Sequence, residues 1–192
     1  MDLLLGHARG VFMCRCRRNF LDGFSLPELL VTLALAAILL GIGVPTFSGL
    51  ANDMRLTSFA NALHAEITLA RSEAVRRGRR VTLCTSHDGQ TCEAGVGWNA
   101  RWLMFVDGNG NAQLDEGEEV IRSLAPFTKG LVAFGNGSMA QYVSYVPIGT
   151  TRAVTGALQM GSIRVCGNEH QRRIVINAVG RVRIERAAAC DE

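Results

Sequence analysis

The sequence predicts an α+β protein in which one long amino-terminal helix packs on an antiparallel β-sheet domain. An uncharged apolar run extends from Leu29 to Val44. Beyond it, apolar residues recur every three or four positions from Leu56 to Ala74, which is the spacing of one helix face. After Gly78 the apolar residues alternate in short runs between glycine-rich turns, a pattern typical of strands. A helix followed only by strands therefore favours the α+β class.

The length and composition exclude a disordered chain, and the net charge by itself does not indicate a protein that coats nucleic acid. The chain has 192 residues, of which 48% are hydrophobic and 19% charged, so an apolar part must be buried or lie in lipid. This length fits one domain with an appendage. The net charge of +3 is too small to indicate a polyanion coat.

The sixteen-residue apolar run continues without a charge through Pro45 and Phe47 to Leu50, which makes it just long enough for a membrane-spanning helix, since about 17 to 25 apolar residues cross a bilayer. No small-residue cleavage site follows Val44, so we expect the run to be retained in the mature chain. Four arginines stand before it and none between Val44 and Arg55. This bias places the start of the helix in the cytoplasm and the rest outside it.

The helix is predicted to run from Leu26 to Arg77. Arg76 and Arg77 fall in its last turn and Gly78 follows as a carboxyl-terminal cap, each favourable at the negative end of a helix. Eight strands are predicted after it, over residues 81–85, 101–106, 119–124, 131–134, 142–146, 162–166, 173–176 and 181–185.

One acidic residue, Glu28, stands at the head of the apolar run. By itself it is a carboxylate at the positive end of a helix, which contributes ~0.3 to 1 kcal/mol. With a basic leader, Gly23 and the sequence FSLPELLVTLALAAILL around it, the segment resembles the class III signal of type IV pilins and pseudopilins. The resemblance implies cleavage between Gly23 and Phe24, N-methylation of Phe24, and assembly through Glu28. Pro45 stands where these families commonly place a proline that loosens or kinks the helix.

The resemblance also divides the chain into three parts. Residues 1–23 are the leader, residues 24–50 the transmembrane and assembly half of the helix, and residues 51–192 a periplasmic head. Either Met1 or Met13 can be the start, and both leave the cleavage position unchanged. The mature protein is therefore expected in the bacterial inner membrane and then in a pilus or pseudopilus.

The resemblance narrows to the GspH/FimT branch of minor pilins at Trp98, Trp102 and residues 105–122. It implies prepilin peptidase, an inner-membrane assembly platform and other minor and major pilins or pseudopilins as partners, with membrane lipid around the helix before assembly. A lipid-embedded carboxylate is costly unless it is paired, and a neighbouring subunit's amino terminus supplies that pair for Glu28. The machine could be a type IV pilus or a type II secretion system.

Four cysteines of the predicted head are expected to oxidise outside the cytoplasm. Cys84 and Cys92 are eight positions apart, and Cys166 and Cys190 are twenty-four apart. We expect two disulfides, each worth about 2 to 4 kcal/mol, with the connectivity left open by the sequence. A zinc site that includes His87 is the alternative, but these intervals match no usual zinc spacing.

The segment 107–118 carries oxygen-bearing side chains at the spacing of an EF-hand loop, namely Asp107, Asn109, Asn111, Gln113, Asp115 and Glu118. Its sixth position is Ala112 instead of glycine, and its flanks predict strands instead of helices. The start of the segment equally suits a tight hairpin. We favour a structural turn, with calcium as the alternative.

Seven arginines and two glutamates lie between residues 152 and 186. Arg181 and Arg183 alternate with apolar residues, so their guanidiniums should lie on one strand face, about 6.6 Å apart, where both can reach phosphates. Residues 180–183 resemble the G-R-x-R element of FimT-type minor pilins, which implies DNA binding for natural transformation, with Arg152, Arg172 and Arg173 as helpers. The alternative is a solvated strand face on a purely structural type II secretion tip pseudopilin.

Enzymatic motifs are lacking in the sequence. It contains no G-x-S-x-G, no HExxH and no phosphate-binding loop, each of which marks a specific chemistry. We therefore predict a structural subunit without catalytic residues, metal or cofactor, and keep a membrane-tethered enzyme as the alternative from another class.

Overall fold

The computed structural model describes residues 24–126, 128–167, 170–187 and 190, without the side chains of residues 42–48. The predicted leader, including Gly23, lies outside these residues. The chain divides into two compact units, Met1–Val44 and Pro45–Glu192.

Helix α1 spans Leu26–Arg77, the bounds that the apolar spacing predicts. Glu28 lies in its first turn and Arg76 and Arg77 in its last. Pro45 lies within the helical range, and its predicted loosening of the helix remains untested. Within the described residues, no helix meets the combined length and hydropathy needed to cross a membrane.

The second unit contains two four-stranded antiparallel sheets, where the sequence predicts strands without assigning their partners. The strands are β1 (Val81–Ser86), β2 (Arg101–Val106), β3 (Val120–Leu124), β4 (Val132–Gly135), β5 (Tyr142–Tyr145), β6 (Gly161–Cys166), β7 (Gln171–Ile176) and β8 (Val182–Ala187). The first sheet has the order β3-β2-β1-β5 and the second the order β4-β6-β7-β8. All eight strands lie within two residues of their predicted bounds.

The core of the second unit forms where one face of α1 packs on the sheets. The buried helix residues are those of the predicted stripe, namely Leu56, Phe59, Leu63, Ile67, Ala70 and Ala74. The rings of Phe59 and Trp102 meet edge to face at 5.5 Å. The Trp102 indole donates to the Trp98 carbonyl at 2.7 Å, and the Trp98 indole donates to the Met139 carbonyl at 2.6 Å. Both buried N–H groups therefore have partners, as buried polar groups require.

Strand β1 is buried along its whole length, because the first sheet is covered on both faces. On the face away from the main core, Cys84, Leu103 and Phe105 form a second cluster that contacts Leu114 and Tyr142. The loops after β1 and β2 thus bury a sheet face that would otherwise meet solvent.

Asp88 holds the turn that follows β1. Its Oδ1 accepts hydrogen bonds from the backbone N–H groups of Gln90 at 2.7 Å and Thr91 at 3.0 Å, and from the Ser86 hydroxyl at 3.1 Å. These donors favour the charged carboxylate and lower the pKa of Asp88 from 3.8 to about 2.

Replacing Asp88 by Asn should make the head easier to unfold near neutral pH. Because the pKa of Asp88 is lower in the folded state, its charged form stabilises the fold fully above about pH 4, and this contribution is lost as the pH falls toward 2. Urea unfolding of wild type and Asp88→Asn over this range should give a stability difference that shrinks with falling pH. A difference that is constant from neutral pH to pH 2 would contradict the assignment.

Candidate assembly segment and arginine surface

The amino-terminal part of α1 exposes a dense set of large apolar side chains. Phe24 is 77% exposed, and Glu28 lies one turn into the described segment. The exposed residues that follow are Leu29, Leu30, Val31, Leu33, Leu35, Ile38, Leu39 and Leu40. Contiguous apolar surface of this kind marks an interaction with lipid or with another protein.

The two arginines of the G-R-x-R element are exposed at one edge of the second sheet. Arg181 directly precedes β8, and its backbone N–H donates to Asn177 Oδ1 at 2.8 Å. Arg183 lies within β8, and its Nε donates to Glu185 Oε1 at 2.7 Å. Both side chains are on the face turned away from the core, because the intervening Val182 and the following Ile184 pack against the core. The predicted alternation of this strand is confirmed.

The turn that presents Arg181 is held from two sides. The Gly180 carbonyl accepts hydrogen bonds from the Tyr145 hydroxyl at 2.9 Å and from Arg71 Nη1 on α1 at 3.3 Å. Burial raises the pKa of Tyr145, so its hydroxyl stays protonated and keeps donating. The sequence does not predict the hydrogen bonds of Arg71 and Tyr145 to the Gly180 carbonyl, because both residues are distant from Gly180 along the chain.

Arg172, predicted as a helper of the two exposed arginines, is not available to a ligand. It is buried, with Nη2 2.7 Å from Asp53 Oδ1 and 3.2 Å from the Thr57 hydroxyl. Adjacent strand residues point to opposite faces, so Arg172 and Arg173 cannot both face outward. Arg172 joins β7 to α1, and that part of the prediction is wrong.

The two other predicted helpers have different surroundings. Arg173 is exposed on β7, with Nε 3.4 Å from Glu185 Oε2. Arg152 is partly buried and donates to the Gly156 carbonyl at 3.3 Å. Only Arg173 lies on the outer sheet face next to Arg183.

The segment 107–118 is a turn in which Asp107 and Glu118 accept hydrogen bonds from the backbone of the segment itself. Asp107 is buried and accepts hydrogen bonds from the Gly110 and Ala112 backbone N–H groups and from the Thr82 hydroxyl. Glu118 accepts from the backbone N–H groups of residues 108 and 115. The calcium alternative would compete with these bonds, and the described residues contain no cluster of three or more potential ligands from His, Cys, Asp and Glu.

Both expected disulfides are present. Cys84 bonds to Cys92 and Cys166 bonds to Cys190, so the structure supplies the connectivity that the sequence left open. The first bond closes the loop after β1. The second bond ties the chain beyond β8 to the end of β6, and so restrains the strand that carries Arg183.

Residues 60–180 match the family described as type II transport protein GspH, and residues 22–44 match the prokaryotic N-terminal methylation motif. The first match covers more than half of the chain. The chain belongs to the GspH family. This GspH-family chain is a minor pilin or pseudopilin, which makes it a structural subunit and not an enzyme.

Known proteins are similar to this GspH-family chain in sequence or in fold. It is 29% identical over 176 residues to the pilin-like protein PilA1 of Thermus thermophilus, an alignment that covers 85% of this chain and 97% of PilA1. Its fold is similar to the type IV minor pilin FimU of Pseudomonas aeruginosa in two crystal forms. The TM-scores are 0.55 and 0.52, each at 22% identity, covering 74% and 70% of this chain and 99% of FimU.

The GspH family is pilin-like, so this chain is associated with a membrane and with a pilus or pseudopilus, and it assembles with other pilins or pseudopilins. The predicted α+β pilin fold is confirmed. The positions of cleavage, methylation and assembly contacts remain predictions from the motif.

Proposed function

We propose that prepilin peptidase cleaves the chain between Gly23 and Phe24 and methylates the new amino terminus. The match to the N-terminal methylation motif over residues 22–44 supports this. We further propose that the apolar segment holds the precursor in the inner membrane with its amino terminus in the cytoplasm, before an assembly platform moves the subunit into a filament. The exposed leucines of α1 support both steps, because they need lipid or neighbouring helices around them.

In the filament, Glu28 is proposed to pair with the amino terminus of a neighbouring subunit. Its place in the first turn of an otherwise uncharged apolar segment is the supporting observation. A carboxylate in apolar surroundings needs a partner of opposite charge, and the amine created by cleavage is such a group.

We also propose that the head binds DNA through Arg181 and Arg183. The observation that carries this proposal is the exposure of both side chains beside a turn that Tyr145 and Arg71 hold in place. Guanidiniums presented from a held turn and its strand can contact successive phosphates without reading sequence. The competing proposal is a purely structural tip pseudopilin of a type II secretion system, in which these arginines only face solvent.

Replacing both Arg181 and Arg183 by Ala should weaken binding to a short labelled DNA duplex by about tenfold or more at low salt, and should reduce the slope of log affinity against log salt by about two. Fluorescence anisotropy with the mature chain in detergent measures both quantities. The matched control is the double variant Arg55→Ala, Arg101→Ala, which removes two exposed charges outside the second sheet. Equal binding by wild type and the Arg181, Arg183 variant would favour the purely structural subunit.

A further inference from the structure

A row of charged side chains crosses the outer face of the second sheet. Arg164 on β6 pairs in register with Arg173 on β7, and Arg173 pairs with Glu185 on β8. Paired residues of antiparallel strands lie on the same face, and neighbouring strands are about 4.8 Å apart. The three side chains are therefore immediate neighbours, and Arg183 lies two residues before Glu185 on the same strand face.

Glu185 holds two of the arginines at once. Its Oε1 is 2.7 Å from Arg183 Nε, and its Oε2 is 3.4 Å from Arg173 Nε. The Glu185 side chain is 30% exposed, while Arg183 and Arg173 are 64% and 45% exposed. Both contacts use Nε, and within the described residues no hydrogen bond engages the terminal amino groups of either arginine. Those groups remain able to donate to an anion from solvent.

Arg164 has no ion-pair partner among the described residues. It is exposed, and its cross-strand neighbour Arg173 carries the same charge. Like charges directly opposite each other on a sheet repel, so an anion placed between them would lower the electrostatic free energy. The row holds three arginines and one glutamate, so it is two carboxylates short of neutralising its arginines.

An open groove runs beside this row. It has a volume of about 490 Å³ and is lined by Arg173, Arg183 and Glu185 together with Val175, Met160 and the amide side chains of Asn136 and Asn177. A lining that combines guanidinium donors with apolar and amide side chains suits a sugar–phosphate backbone, which presents anionic oxygens next to an apolar sugar ring.

We propose that this row extends the DNA-binding surface across the sheet, with Arg173 and Arg164 contacting further phosphates and Glu185 acting as an internal counter-ion that the phosphates displace. The inference rests on the proposed function, because it assumes that DNA reaches Arg183. Glu185 keeps the two guanidiniums in place before binding. It also lowers the affinity, because its own charge competes with phosphate for Arg183 and Arg173.

The test compares four variants of the mature chain in detergent with a short labelled duplex, one of which is the Arg181, Arg183 double variant described above. Glu185→Gln should raise the affinity for the duplex by about three- to tenfold at low salt. It should also increase the slope of log affinity against log salt by about one, the value of one further phosphate contact. The matched control is Glu116→Gln, which removes the same charge from an exposed position in the loop after β2. The double variant Arg164→Ala, Arg173→Ala should lose about tenfold in affinity and about two units of salt slope. Unchanged thermal unfolding verifies that each variant is folded.

The outcomes separate this inference from the proposed function. If Glu185→Gln binds no better than Glu116→Gln, the counter-ion role is overturned. If the Arg164, Arg173 variant binds like wild type while the Arg181, Arg183 variant loses binding, the row is overturned and the proposed function stands. If the Arg164, Arg173 variant alone loses binding, phosphate contact by Arg164 and Arg173 is supported, and the assignment of Arg181 and Arg183 is overturned together with the place of Arg183 in the row. Absence of DNA binding by wild type overturns both.

Discussion

Replacing Glu28 by Ala should abolish incorporation of the subunit into filaments and leave its processing intact. The carboxylate lies in the first turn of α1, shortly after the proposed cleavage point and within an uncharged apolar segment. In a filament core the amine of a neighbouring subunit would lose the carboxylate proposed to pair with it, and removal of one partner of a buried ion pair costs about 3 to 5 kcal/mol. This cost corresponds to at least about a hundredfold loss of incorporation, measured as the fraction of subunit recovered with sheared filaments.

Two controls make this result specific to the charge. Glu28→Asp keeps the carboxylate and should restore a substantial part of incorporation, and Thr32→Ala changes a polar residue one turn further along α1 without altering charge. Mass spectrometry of the membrane fraction should find N-methylated Phe24 at the amino terminus of every variant. Incorporation of Glu28→Ala at the wild-type level would refute the assembly role, and a mature chain that starts at another residue would refute the cleavage assignment.

Replacing Gly180 by Ala should destabilise the head by about 2 to 5 kcal/mol and displace Arg181. Gly180 has φ +76°, a conformation that costs an L-residue about 1 to 2 kcal/mol. A methyl group there would also lie 2.7 Å from the Gly149 carbonyl oxygen and 2.9 Å from the Tyr145 ring. The overpacking adds about 1 to 3 kcal/mol, because backbone must move to relieve it. Equilibrium unfolding of the mature chain measures the loss.

Gly156→Ala is the matched control for this prediction. Gly156 has φ +82°, and no atom of its non-adjacent neighbours in the described part of the chain lies within 4 Å of the position that an added methyl group would occupy, so this variant carries the conformational cost without the steric one. We expect it to lose about 1 to 2 kcal/mol and to bind DNA like wild type. An equal loss of stability in the two variants would show that the packing around Gly180 tolerates a side chain.

The sequence predicts secondary structure well where the pattern is local. Helix α1 begins and ends at the predicted residues, because the apolar stripe repeats through Ala74 and Gly78 ends it. The strands follow from alternation such as that of Val182 and Ile184 with the exposed arginines. The two disulfides follow from an even number of cysteines in a head expected to lie outside the cytoplasm.

Adjacent arginines show where a local pattern misleads. Arg172 and Arg173 have the same chemistry and consecutive positions, and the sequence predicts that both assist an anion site. The strand places them on opposite faces, so that Asp53 neutralises the first and Glu185 contacts the second. Which face is the inner one depends on where α1 packs, and no residue near the pair encodes that position.

The sequence by itself determined the class of the fold, the long helix with its acidic residue at position 28, and the alternating arginines of the last strand, because each depends on residues that are neighbours along the chain. Only the tertiary structure decided the division into two sheets, the support of Gly180 by Tyr145 and Arg71, and the pairing of Arg172 with Asp53. These features depend on contacts between residues far apart in sequence, which form only when the helix and both sheets have packed around a common core.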